Sequence, residues 1–177
     1  MAKAVVGSNP TPRTLVPSMH PNAELVTRFY GAFQRRDADA MAACYLPDAR
    51  FSDPVFQDLR GPQVPAMWRM LVGRAQDLEV TVRDITANDT RGLAHWEATY
   101  TFGKTGRRVH NKIAASFEFQ DGKIARHMDA FDLYAWTRMA LGPSGVLLGW
   151  TPLVQGRVRR KAAAGLAKFM AGESSGR

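Results

Sequence analysis

An imidazole, a carboxylate and an amide sit where this sequence otherwise asks for apolar side chains. His127 and Asp129 lie two apart in KIARHMDAF, and Asn111 lies on the strand before them. Residues two apart on a strand face the same way. If that face is the inner one, an imidazole and a carboxylate point into an apolar interior. An unpaired carboxylate there costs on the order of several kcal/mol or shifts its pKa. Such groups persist when they are paired or when chemistry uses them. The chemistry would be general acid–base catalysis, in which one positioned group contributes roughly 10²–10⁴ in rate. Asp129 with His127 would be the deep acid/base pair. Asn111 or Tyr30 would orient a substrate oxygen. A His–Asp–Asn network that only satisfies its own hydrogen bonds is the alternative reading of the same residues.

The surrounding pattern says which elements must position these groups. Leu25, Phe29 and Phe33, with Val26 and Tyr30, recur at helical spacing between Asn22 and Arg36. Asp37 reads as the N-cap of a short second helix ending at Leu46 before Pro47, and Val64 to Gly73 as a third helix. Strands follow. Leu78 to Thr86 alternates, and LAHWEATYTF alternates strongly, with Trp96, Ala98, Tyr100 and Phe102 on one face. After the hairpin loop GKTG comes a strand with Val109, Asn111, Ile113, Ala115, Phe117 and Phe119 on one face. Gln120-Asp121-Gly122 fits a three-residue hairpin loop, and the last strand runs from Lys123 to about Phe131. That loop sets Ala115 opposite His127, Ile113 opposite Asp129 and Asn111 opposite Phe131. A two-residue loop would turn His127 and Asp129 to the outer face instead. Helices followed by an antiparallel meander indicate an α+β fold. The pocket lining expected from these faces is Trp96, Tyr100, Ile113, Phe117 and Phe131.

Composition sets the outer limits. The chain has 177 residues, 45 % of them hydrophobic, enough for one domain with a sizeable core. A lone cysteine, Cys44, excludes an internal disulfide and a multi-cysteine metal site, and no metal or cofactor is expected. The N-terminus lacks the apolar core of a signal peptide, so residues 1–20 read as a flexible leader and the protein as cytoplasmic. Net charge is +8, with RVRRK at 157–161 contributing much of the excess. No nucleic-acid motif accompanies it, so nucleic acid is not expected as a partner. Val154, Val158, Ala162, Leu166 and Phe169 form one face of a terminal helix, opposite Arg157, Arg160, Lys161 and Lys168. Packing on its own domain is the expectation for that helix. Contact with a membrane surface is a further possibility for a basic amphipathic helix.

In the order of its elements, the chain resembles the NTF2-like superfamily, in its SnoaL-like and ketosteroid-isomerase-like branches. The stretches that carry the resemblance are LVTRFYGAFQRRDADAMAACYLPDARFSDPVF and GRRVHNKIAASFEFQDGKIARHMDAFD. It implies a cone-shaped, cystatin-like domain over 21–132, with helices packed on a curved antiparallel sheet and a helical extension over 133–177. It also implies a homodimer paired through the sheet's outer face. In the steroid isomerases of this fold the Asp-Pro-Val aspartate is the general base, and Asp53 matches it. Their two oxyanion donors are not matched. Phe29 stands for the tyrosine, with Tyr30 one position on, and Ala115 stands for the aspartate. Loss of one such donor costs ~10²–10³ in rate. Cyclases and epoxide-hydrolase-like members place acid/base groups deep in the cone, as His127 and Asp129 are placed here, although the inward neighbours offer no arginine. Two functions are therefore expected to compete. One is an acid/base enzyme acting on an apolar, cyclic or polyketide-like molecule. The other is a non-catalytic lipid or metabolite binding module.

Overall fold

Apolar residues at helical spacing give the first helix, α1 (Pro21–Gln34), a buried face of Leu25, Val26, Phe29 and Phe33. His20 caps it, accepting from the Asn22 amide at 3.1 Å. The computed structural model describes residues 19–175 except 75, so the leader expected over 1–20 lies outside the described residues apart from its last two. Asp37 does cap α2 (Ala38–Ala42), as expected. The helix is shorter than the sequence suggested, however, because strand β1 (Tyr45–Ser52) already begins at Tyr45 and runs through Pro47. Pro47 is tolerated because the β1 ladder is irregular between Tyr45 and Arg50, where a missing N–H breaks no pairing.

A two-residue strand β2 (Leu59–Arg60) and helix α3 (Gln63–Arg74) follow. The meander is β3 (Glu79–Ala87), β4 (Arg91–Phe102), β5 (Arg107–Gln120) and β6 (Lys123–Ala130). One curved six-stranded sheet results, in the order β2-β1-β6-β5-β4-β3, with β1 parallel to β6 and every other pair antiparallel. Helices α1 and α3 fill its concave side, where Phe29, Phe33, Met67 and Trp68 join Trp96, Ile113 and Phe117 in one core cluster. The alternation read from β4 and β5 holds: Trp96, Ala98, Ile113, Ala115 and Phe117 are buried, and His95, His110 and Lys112 face out.

The last hairpin differs from the expected one. Gln120 pairs with Lys123, so the loop is the two residues Asp121-Gly122, both at positive φ (52° and 69°). That is the backbone a tight two-residue hairpin turn needs. Alone it would have turned His127 and Asp129 outward. A β-bulge corrects it. Phe119 pairs with Ile124, but Glu118 pairs with Arg126, so Ala125 is an extra residue on β6. Beyond the bulge Phe117 opposes His127 and Ala115 opposes Asp129, one inward step from the expected pairs. The inward orientation is as expected; the partners are not.

The C-terminal extension forms α4 (Leu133–Leu141), α5 (Pro143–Leu148) and α6 (Pro152–Ser175). Trp136 and Leu133 of α4 build a second cluster with Val109 of β5, against which Val158 of α6 packs. Farther along α6, Leu166 is buried in the main core, with Ala162 and Phe169 against it. The terminal helix thus packs on its own domain through the face the sequence predicted. Among the described residues no helix is long and apolar enough to cross a membrane.

Because Ala125 alone restores the inward phase of β6, its deletion should abolish the cooperative melting transition followed by circular dichroism. Ala125→Ser keeps the residue count and should leave the midpoint close to wild type, since a half-exposed small substitution costs about 0.5 kcal/mol or less. An unchanged midpoint after deletion would show that the bulge does not set the register.

Candidate active site

Parallel pairing brings the two acidic candidates together. Phe51 of β1 lies beside His127 of β6, and Ser52 beside Met128. Asp53 follows directly on Ser52, the end of β1, and lies close enough to Asp129 to feel its charge. Oδ1 of Asp53 accepts the amides of Val55 (2.6 Å) and Phe56, while the Asp53 N–H donates to the Phe56 carbonyl at 2.8 Å. The SDPVF turn therefore closes on itself around the Asp53 side chain. Burial pushes the Asp53 carboxyl up to about 7; the Phe56 and Val55 amides oppose the rise, and the Asp129 charge adds to it.

Asp129 is held from two sides. Its Oδ1 accepts from Trp96 Nε1 at 3.2 Å and from His127 Nε2 at 3.0 Å. His127 Nδ1 meets the Tyr45 hydroxyl at 2.6 Å, and Trp68 Nε1 donates to that hydroxyl at 3.1 Å. One proton arrangement satisfies every member. Trp68 donates to Tyr45, Tyr45 donates to Nδ1, and His127 donates through Nε2 to Asp129, which assigns the Nε2–H tautomer. The imidazole is 0 % exposed, boxed by Phe29, Phe51, Trp68 and Phe117 with ring centroids 4.4–6.0 Å away. The apex of the cone is filled with rings. His127 is enclosed there and donates to Asp129.

The other expected site residues divide between the main core and its boundary with the second cluster. Phe117, Ile113 and Trp96 are buried in the core. Tyr100 and Phe131 lie where the main core meets the second cluster. The Tyr100 hydroxyl accepts from Trp136 Nε1 at 2.9 Å, and its pKa is raised first by burial and further by the Asp53 charge. Asn111 is half-buried on the inner face of β5, beside Ala98. Tyr30 is fully buried, 5.9 Å from the Trp96 ring, and its hydroxyl has no hydrogen-bond partner among the described residues. Burial, then the Asp129 charge, raises its pKa. Phe29, the formal match to the isomerase tyrosine, packs edge-on to His127 instead.

Four contributors went unread in the sequence. Tyr45 was assigned to a helix, which hid its inward direction. Trp68 sits on α3 with nothing local to mark its facing. Trp136 and Arg159 come from the extension, and Arg159 Nε donates to the Pro54 carbonyl at 2.9 Å. The extension thus holds the turn that carries Asp53.

The SnoaL-like domain family matches residues 26–127, more than half of the chain. The chain belongs to that family. Among curated proteins no significant match is found. Solved structures share the fold. A candidate SnoaL-like polyketide cyclase from Jannaschia is 20 % identical at a TM-score of 0.63, covering 74 % of this chain and 99 % of its own. TerC, co-crystallised with polyporic acid, is 18 % identical at 0.60, covering 70 % and 100 %. An epoxide hydrolase of LEH-like type from M. tuberculosis is 26 % identical at 0.59, covering 75 % and 96 %. The family match ends at residue 127, before α4, α5 and α6.

The Asp53 carboxyl has a consequence for folding. It keeps its proton up to about pH 7 when folded and loses it near 3.8 when unfolded. The folded state therefore binds more protons between those values, and stability falls as pH rises through the window. Asp53→Asn removes that dependence and keeps an acceptor for the turn. Its melting midpoint relative to wild type should climb as pH goes from about 4 to about 8. A difference that stays flat would mean that Asp53 ionises at its ordinary pH.

Proposed function

We propose that this SnoaL-like protein is an acid/base enzyme acting on an apolar, cyclic or polyketide-like small molecule. The reading rests on one observation above the others: Asp53, in the turn that ends β1, stands near the buried Asp129 and is pushed to about 7. A base poised near neutral pH maximises both its available fraction and its proton affinity. In this reading Asp53 takes a proton from a substrate carbon or hydroxyl and returns it after the bond change, as isomerisation, cyclisation, dehydration or hydrolysis all require. Burial keeps the Asp53 proton affinity high, and the neighbouring Asp129 adds to it. His127 is a positioning residue, holding Asp129 through Nε2. The unpartnered Tyr30 hydroxyl is a donor for a developing oxyanion, in place of the missing isomerase pair. Asn111 and Tyr100 lie on the inner face of the same sheet.

The ring-packed apex around His127 favours a second reading, a binding module with no turnover. Isolating the protein and analysing extracted small molecules by mass spectrometry separates the two. An unaltered co-purified lipid or metabolite, with no product formed from any member of a panel of cyclic ketones, epoxides and aromatic polyketides, supports binding.

For any substrate so found, Asp53→Asn should lower kcat by about 10² or more. The wild-type rate should rise with pH through an apparent pKa near 7. Asp129→Asn removes the neighbouring charge and should move that limb to lower pH. Wild-type turnover by both variants would end the assignment.

A further inference from the structure

The strongest feature that the catalytic reading leaves unused is at the turn between α5 and α6. Five apolar side chains stand in solvent there within eight residues. Leu147 is 70 % exposed, Trp150 63 % and Leu153 72 %, and Val146 and Leu148 flank them. Trp150 is not free to fold back, since its Nε1 donates to the Leu147 carbonyl at 3.2 Å and holds the ring at the tip. Large apolar side chains left contiguous on a surface mark an interaction site.

The charge around this tip is of one sign. The outward face of α6 carries Arg157, Arg160, Lys161 and Lys168, none with an ion-pair partner among the described residues, and Glu173 is the helix's one acidic residue. Next to Val146 and Leu147 opens a hollow of about 520 Å³ that is also lined by Arg107 and Arg138. Neither guanidinium pairs with a carboxylate among the described residues. Arg107 Nε is spent on the Met139 carbonyl (2.9 Å), and Arg138 lies over the Tyr134 ring. Apolar residues with an indole at the leading edge, cations beside them and a cationic hollow behind match the layers of an anionic bilayer surface: acyl boundary, phosphate, headgroup.

The geometry points to peripheral docking of this protein on an anionic lipid bilayer, with Leu147, Trp150 and Leu153 inserted at the acyl boundary. Arg107, Arg138 and the basic face of α6 then lie among the phosphates. A second copy of the chain fits the tip less well. A two-fold contact sets the same patch against itself, which would face the unpaired cations of α6 toward like charge.

Full-length protein is sedimented at low salt with vesicles of phosphatidylcholine alone, or with about one-third phosphatidylglycerol. Binding is expected to the anionic vesicles only. Trp68, Trp96 and Trp136 are buried, so quenching of indole fluorescence by brominated acyl chains reports Trp150. The combined variant Leu147→Gln, Trp150→Gln, Leu153→Gln should bind at least about tenfold more weakly, and so should Arg157→Gln, Arg160→Gln, Lys161→Gln. If the triple apolar variant melts early, Leu153→Gln alone and the quenching of wild type carry the test. The proposal fails if wild type does not sediment, if the apolar variant sediments as wild type does, or if bromolipid leaves the fluorescence unchanged. It also fails if the apolar variant turns a solution dimer into a monomer while vesicle binding stays absent, which would make the tip a contact between copies.

Discussion

Two neighbouring carboxylates in an apolar interior, one on β6 and one in the turn that ends β1, cannot both stay as they would be in water. The parallel pairing of Phe51 with His127 brings the turn of Asp53 near Asp129, which is buried, while Asp53 is partly buried. Asp129 receives two N–H donors on one oxygen, from Trp96 and from His127. Asp53 also receives two, the Val55 and Phe56 amides of its own turn, but burial outweighs them and its proton affinity rises. Much of the interior holds Asp129 in place. Tyr45 and Trp68 fix the His127 tautomer, and the aromatic box keeps water from it. The Ala125 bulge turns His127 inward at all.

The extension is part of the same arrangement. Trp136 ties up the Tyr100 hydroxyl, and Arg159 grips the Pro54 carbonyl. Both contacts lie beside Asp53, so residues beyond the SnoaL-like match help hold its turn. Burial of Leu166 in the main core anchors the helix that supplies Arg159. The same helix leaves its cations facing solvent, so one element carries a packing face and a surface face with separate roles.

How much of this was legible in the sequence follows from the range of each interaction. The period of two fixed the faces of β4 and β5, and so placed Trp96, Ile113 and Phe117 inside. The inward turn of His127 and Asp129 was also legible, but through the wrong pairs. A three-residue loop and a two-residue loop with a bulge give the same orientation, and no residue type marks Ala125 as the extra one. Pro47 misled in another way. Proline ends helices and is excluded from most ladders, yet an irregular ladder admits it, and with β1 misplaced Tyr45 was lost from the network. Trp68, Trp136 and Arg159 act across long sequence separations, which local pattern does not encode. The family resemblance identified Asp53; only the parallel register shows that Asp129 is its neighbour.

The account turns on the proton of Asp53, and carboxyl ¹³C chemical shifts of selectively labelled aspartate read it directly. A resonance lost in Asp53→Asn should titrate in wild type with an apparent pKa near 7, and should move toward the ordinary carboxylate range in Asp129→Asn. A wild-type Asp53 resonance titrating near 4, indifferent to Asp129, would contradict it.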